Sequence, residues 1–451
     1  MTVRILVPSG MLGSGFPPEI IARGLELGAD VIALDGGSTD SGPYYLGTGT
    51  AKTAAAAVAR DLRPLLRAVA TAGIPLIIGS CGTSGTDAGV DWVAGITRDV
   101  LAAEGMSLRV ATIYSEQRAA DLGTLLDQGR IHPLPPAGDL DAATLDSCAH
   151  IVAMMGHEPI AEALAAGADV VLAGRATDTA LAAAVPLMRG LPAGPAWHAA
   201  KIVECGAQCT TDPRSSGVLA TVDATGFTIE PLDPAVACTP TSVAAHMLYE
   251  TANPFSMREP AGTLEVADAT YRALDHRRVR VEGSRFEPAE QYTVKLEGAR
   301  VTGYQTMSFT AIRDPHILGQ ITTWAALLRK VLTDRVAQTL GLHDGYSFDI
   351  RLYGFDAVLG PLDPDTRPPR EVGVMLLVNA ADQPTATAIA KVANPLMLHL
   401  PTPDMQHLPS LAFATSPAET ERGATYEFAL NHVVAVDSPT SLFRIAFPEA
   451  L

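Results

Sequence analysis

Basic residues, aromatics and cysteines are all scarce in this chain of 451 residues. Lys and Arg number 32 against 49 Asp and Glu, a formal net charge of −17. A chain that acidic repels nucleic acid and anionic membrane surfaces, so neither is an expected partner. A local arginine can still oppose the overall field for an anionic substrate. Five cysteines make no disulfide framework in so long a chain, and a reducing, cytoplasmic setting is the expectation. No run approaches the roughly 20 consecutive apolar residues of a membrane span. The opening residues Met1 to Val7 read as a strand, not as the apolar core of a secretory leader. Only 5% of residues are aromatic, yet 47% are hydrophobic and 39 are glycine. That balance suits an α/β protein with alanine-rich helices, and the length allows two or three domains.

What is present is an alternation. Short apolar runs at 3–7, 31–34, 75–78, 108–113, 151–154 and 170–172 are bounded by Gly, Pro or Asp, as parallel strands buried on both faces are. Helical segments lie between them, one with Pro17 and Pro18 in its first turn and Gly28 at its end. The expected fold is therefore α/β, with an N-terminal layered parallel sheet over 1–195, doubly wound and Rossmann-like. Six visible strands favour an open sheet over an eight-stranded barrel. From 217 the pattern changes to a hairpin (217–222 and 227–230), further strands and a long helix over 315–340. Residues 196–342 are expected to form a mixed α+β domain completing the site, and 343–451 a small C-terminal α+β domain.

Five loops carry candidate chemistry. Ser9-Gly10-Met11-Leu12-Gly13-Ser14-Gly15 follows the first strand and resembles an anion cradle, although it lacks the G-x-G-x-x-G spacing of a dinucleotide site. Gly13 and Gly15 are its binding candidates; a flexible turn is the plain alternative. Asp35 ends the second strand, followed by Ser38, Thr39 and Asp40. Ser38 and Thr39 suit substrate contacts, Asp40 suits proton transfer, and Asp35 with Asp40 could hold a divalent cation, the one cofactor suggested. Ser80 and Ser84 flank Cys81 in a third loop of small residues, a nest for an anion or, alternatively, the nucleophile of a hydrolase. His157 and Arg175 each follow a strand. His157 is placed for acid–base work, and Arg175, with Asp178, for clamping a carboxylate unless the two simply pair with each other. In the fifth segment His198, Lys201 and Glu204 share a helix face, catalytic or merely solvated, while Cys205 and Cys209 have poor zinc spacing. Lys295 and Glu297 alternate with Val294 and Leu296 on a strand.

Four of these stretches, Asp35 to Gly47, Ala173 to Ala180, His198 to Gly206 and Tyr292 to Ala299, closely resemble the acyclic terpene utilisation A family in the same order. The resemblance covers essentially the whole chain. It implies a place in the breakdown of branched acyclic compounds through acyl-CoA intermediates, without fixing a chemical step.

The reading that follows is a catabolic enzyme acting on a small branched or hydroxylated carboxylate or its CoA thioester. The reaction is hydration, elimination or isomerisation by proton transfer beside a carbonyl. Arg175 holds the carboxylate, Glu204 or His157 moves the proton, and Lys201 stabilises the enolate. Lys295 adds a further contact, and a homo-oligomer is the default assembly. A hydrolase or a non-catalytic scaffold subunit are the alternatives.

Overall fold

The computed structural model describes residues 1–365, 367–409 and 411–448. Strands and helices alternate from the start: β1 (Val3–Val7), α1 (Pro18–Glu26), β2 (Val31–Asp35), α2 (Pro43–Thr48), α3 (Ala55–Ala72), β3 (Leu76–Gly79), α4 (Asp87–Glu104) and β4 (Val110–Tyr114). There follow α5 (Ala119–Asp127), β5 (Ile131–Pro133), α6 (Ala142–Ser147), β6 (Cys148–Met154), α7 (Glu158–Ala165), β7 (Val170–Ala173), α8 (Asp178–Met188) and α9 (Ala193–Val203). The hairpin β8 (Val218–Val222) and β9 (Gly226–Pro231) leads to α10 (Pro240–Ala245). Short strands come next: β10 (Ser256–Glu259), β11 (Gly262–Glu265), β12 (Thr270–Ala273), β13 (Val279–Glu282) and β14 (Arg285–Pro288). The long β15 (Thr293–Ile312), α11 (Pro315–Leu318), α12 (Ile321–Leu340), β16 (Tyr346–Tyr353), β17 (Val372–Ala380), α13 (Gln383–His399), β18 (Ala412–Phe413), β19 (Glu419–Ala435) and β20 (Arg444–Ala446) complete the chain.

Five strands, β1, β2, β3, β7 and β4 in that spatial order, are parallel. Their side chains alternate between two cores because a strand repeats every two residues. Val3, Ile5, Val31, Ala33 and Ile77 face α7, α8 and α9. Leu6, Ile32, Leu34, Leu76 and Ile78 face α1, α3 and α4. With both faces covered, every position of β2 is buried, which explains its unbroken apolar run ahead of Asp35. The sheet is open and doubly wound: β8 extends it antiparallel to β1, and β20 borders β4 at the other end.

Two expectations need correcting. The run at 151–154 is no sixth parallel strand. β6 pairs antiparallel with β15, Ile151 opposite Gly298 and Met154 opposite Lys295. The chain also groups differently from the three expected segments: residues 1–300 with 427–451 form one compact unit, and 301–426 the other. The reason is the hairpin β8–β9, which hydrogen-bonds onto β1 and so fuses the first two segments. In the second unit, β16 and the 304–312 part of β15 flank β17, and Trp324, Leu328 and Leu332 pack with Val374, Leu376 and Ile389. The helix expected over 315–340 is broken there into α11 and α12. No helix among the described residues is long and apolar enough to cross a membrane.

Candidate active site

A cavity of about 430 Å³ opens at the carboxyl ends of β1 and β2, where open α/β sheets hold their ligands. Its walls include Ser9, Asp35, Ser38, Asp40, Asp178, Glu204, Cys205, Tyr249 and Glu250. Chain geometry forces the loops together. Gly37, at φ +148°, passes so near Thr83 that a Cβ would lie 2.3 Å from its Cα. Gly206, at φ +61°, turns the chain after α9, and a Cβ there would lie 3.0 Å from the Gly10 nitrogen. Only glycine fits both the left-handed backbone and the close approach at these two places.

The cavity is acidic. Asp35 accepts from the Gly37 N–H at 3.1 Å through Oδ2, while its buried Oδ1 has no hydrogen-bond partner among the described residues. Burial, and then Asp178, push its pKa well above the ordinary range, against the pull of Arg175. Asp178 begins α8 behind its N-cap Thr177, and its pKa is raised by burial and by Glu250 and Asp40, with Arg175 and Lys201 opposing. Glu204 caps α9 and is buried. Desolvation carries its pKa to about 8 although Lys201 Nζ donates to its Oε1 at 2.5 Å. Glu259 stands behind this group, raised to about 7 mainly by burial, with the hydroxyls of Thr177 and Thr179 donating to it.

The expected residues divide. Asp35, Ser38, Asp40, Asp178 and Glu204 do line one cavity, and Lys201 adjoins it through Glu204. Ser38 Oγ donates to Asp40 Oδ2 at 2.5 Å. Arg175 is not free to clamp a substrate. Its Nε donates to Glu297 Oε2 at 2.9 Å, Nη1 to Ser80 Oγ at 3.2 Å and Nη2 to Thr39 Oγ1 at 3.2 Å, all buried. This guanidinium, followed by Lys295, holds the Glu297 carboxyl down at about 2 against its burial. Thr39 is committed as well, donating to Glu297 Oε2. Lys295 bonds Glu297 Oε1 at 2.9 Å and faces a separate cavity of about 350 Å³ with Phe428 and Asn431.

Gly13 and Gly15 form no anion cradle, because their N–H groups donate to the buried Asp61 Oδ2 at 2.8 and 3.0 Å. Ser80 and Ser84 are fully buried. Ser80 accepts from Arg175, and Ser84 donates to the Tyr45 carbonyl at 3.2 Å. Neither lines the cavity, and burial, followed by the charge of Asp35, pushes the Cys81 thiol far up, which leaves it a poor nucleophile. His157 stands edge-on to Trp197, 5.6 Å between ring centroids, away from the cavity walls. His198 is buried between Ser284 and Tyr271.

Sequence reasoning missed Glu250, Glu259 and His246. His246 lies in the turn after α10, and its imidazole, the Cys205 thiol and the Glu204 carboxylate offer ligand atoms within 4.8 Å of one another. No spacing pattern joins residues 204–205 to 246; only the fold does.

The sequence model of the acyclic terpene utilisation family protein AtuA matches residues 47–428. The chain belongs to that family. Comparison with curated proteins and with solved structures returned no match. Asp178, Glu204, Cys205 and His246 fall inside the family span, whereas Asp35 and Asp40 precede it.

Proposed function

We propose that the protein is a catabolic enzyme that moves a proton beside a carbonyl group, as a hydratase, dehydratase or isomerase does, on a small branched or hydroxylated acyl compound. The observation that carries this reading is the carboxyl pair Asp35 and Asp178 on one cavity wall. Burial pushes both pKa values up, and the charge of Asp178 raises that of Asp35 further, which suits one carboxyl to donate a proton and the other to accept one. Among the described residues nothing hydrogen-bonds Asp35 Oδ1, so its lone pairs are not committed within the protein. The ammonium of Lys201 is the nearby cation suited to a developing enolate.

The acidity of the walls refines the substrate. Arg214, its side chain 91% exposed, is the one basic residue among the described lining residues. A free carboxylate deep in this cavity would face Asp35, Asp178 and Glu204, so a thioester or another neutral carbonyl fits better. The test is exchange of α-protons with D2O across a panel of small branched and hydroxylated acyl-CoA thioesters. Asp178→Asn should lower turnover of the best substrate by about 10²–10⁴-fold. Equal turnover in wild type and variant would overturn the assignment.

A further inference from the structure

We propose that Glu204, Cys205 and His246 bind one divalent metal ion of the zinc class at the edge of the cavity. The three side chains supply a carboxylate oxygen, a sulfur and an imidazole nitrogen within 4.8 Å of one another. Tetrahedral zinc, with bonds of about 2.0–2.3 Å, sets its ligand atoms roughly 3.3–3.8 Å apart. Small side-chain rotations therefore close the site.

A second observation points the same way. His246 is 4% exposed, and among the described residues its Nε2 has no hydrogen-bond partner. In the tautomer protonated at Nδ1, Nε2 carries the lone pair a metal takes. An imidazole nitrogen buried without a partner is costly unless something occupies it. On the opposite side, Lys201 Nζ holds Glu204 Oε1, which orients the carboxylate and leaves Oε2 for the ion.

The donor set identifies the class of ion. Calcium and magnesium take oxygen ligands, whereas a mixed nitrogen, sulfur and oxygen set suits zinc, cobalt or ferrous iron. Three protein ligands leave a fourth position open, the arrangement of catalytic zinc sites. Glu204 and Cys205 are both wall residues of the cavity, so that position borders the substrate space. Asp178 and Glu250 add negative charge nearby, which offsets the ammonium of Lys201.

Binding is read without turnover, so this inference and the proton-transfer reading fail separately. The full chain, stripped with a chelator, is titrated with Co²⁺. The expected result is one equivalent bound per chain, with the near-ultraviolet thiolate-to-cobalt absorption of a cysteine-ligated ion. Cys205→Ser should abolish that absorption, and His246→Ala should weaken Zn²⁺ affinity at least tenfold, while Cys148→Ser keeps both. In the unmodified protein, Zn²⁺ should also protect Cys205 from alkylation, read by mass spectrometry. Absence of the thiolate band, or equal alkylation of Cys205 with and without Zn²⁺, would overturn the site.

Discussion

The guanidinium of Arg175 gathers acceptors from three separated segments: Glu297 on β15, Ser80 after β3 and Thr39 after β2. Its work is to fasten the loops that carry Asp35 and Asp178. Removing one partner of a buried pair strands the other's charge, which costs more than the pair itself contributes. Arg175→Met should therefore lower stability by about 3–5 kcal/mol, and adding Glu297→Leu should restore part of that loss. Urea denaturation of the single and double variants checks both, and an unchanged midpoint for Arg175→Met would contradict the structural role. The sequence placed Arg175 at a strand end and suggested either a substrate or Asp178 as its partner. Glu297 lies 122 positions away, and no local pattern announces it. The same holds for Asp61, 46 and 48 positions from the glycine N–H groups it occupies. Asp35, Asp178 and Glu204 were legible, because each ends a strand or bounds a helix facing the ligand side of the sheet.

Among elements, α9 shows what periodicity reveals and what it hides. Its apolar composition marks a helix, yet every residue from Gly194 to Val203 is buried, so it has no solvated face. His198 is consequently a core residue. Burial lowers its pKa from 6.5 to about 3. A histidine whose folded-state pKa lies below its unfolded value is protonated first in the unfolded chain. Stability is then full above pH 6.5 and falls as pH drops from 6.5 toward about 3, with a slope near 1.4 kcal/mol per pH unit from this group. His198→Phe should flatten the acid limb of a stability–pH curve measured by urea denaturation. An identical slope in wild type and variant would contradict a buried neutral imidazole. Strand β6 marks the opposite limit of legibility. A strand buried in a parallel sheet and one buried against an antiparallel neighbour both read as short apolar runs, so Ile151 to Met154 could not declare their partner. The glycine and proline punctuation around β1, β2, β3 and β7 did place those strands to within a residue or so.

At the scale of the molecule, an acidic chain brings several carboxylates to the ligand end of its sheet, with Asp35 and Glu204 buried there. The sheet supplies the burial, β2 and α8 bring Asp35 and Asp178 to one wall, and the resulting raised pKa values are what the proposed chemistry uses. Family membership places the chain among proteins of acyclic terpene utilisation; the acid–base role rests on this pair alone. Aspartate carboxyl titration followed by ¹³C NMR on the labelled full chain tests the pair without any substrate. One carboxyl should titrate well above the ordinary aspartate value of 3.8, and its signal should vanish in Asp35→Asn. Every aspartate titrating in the ordinary range would contradict the account.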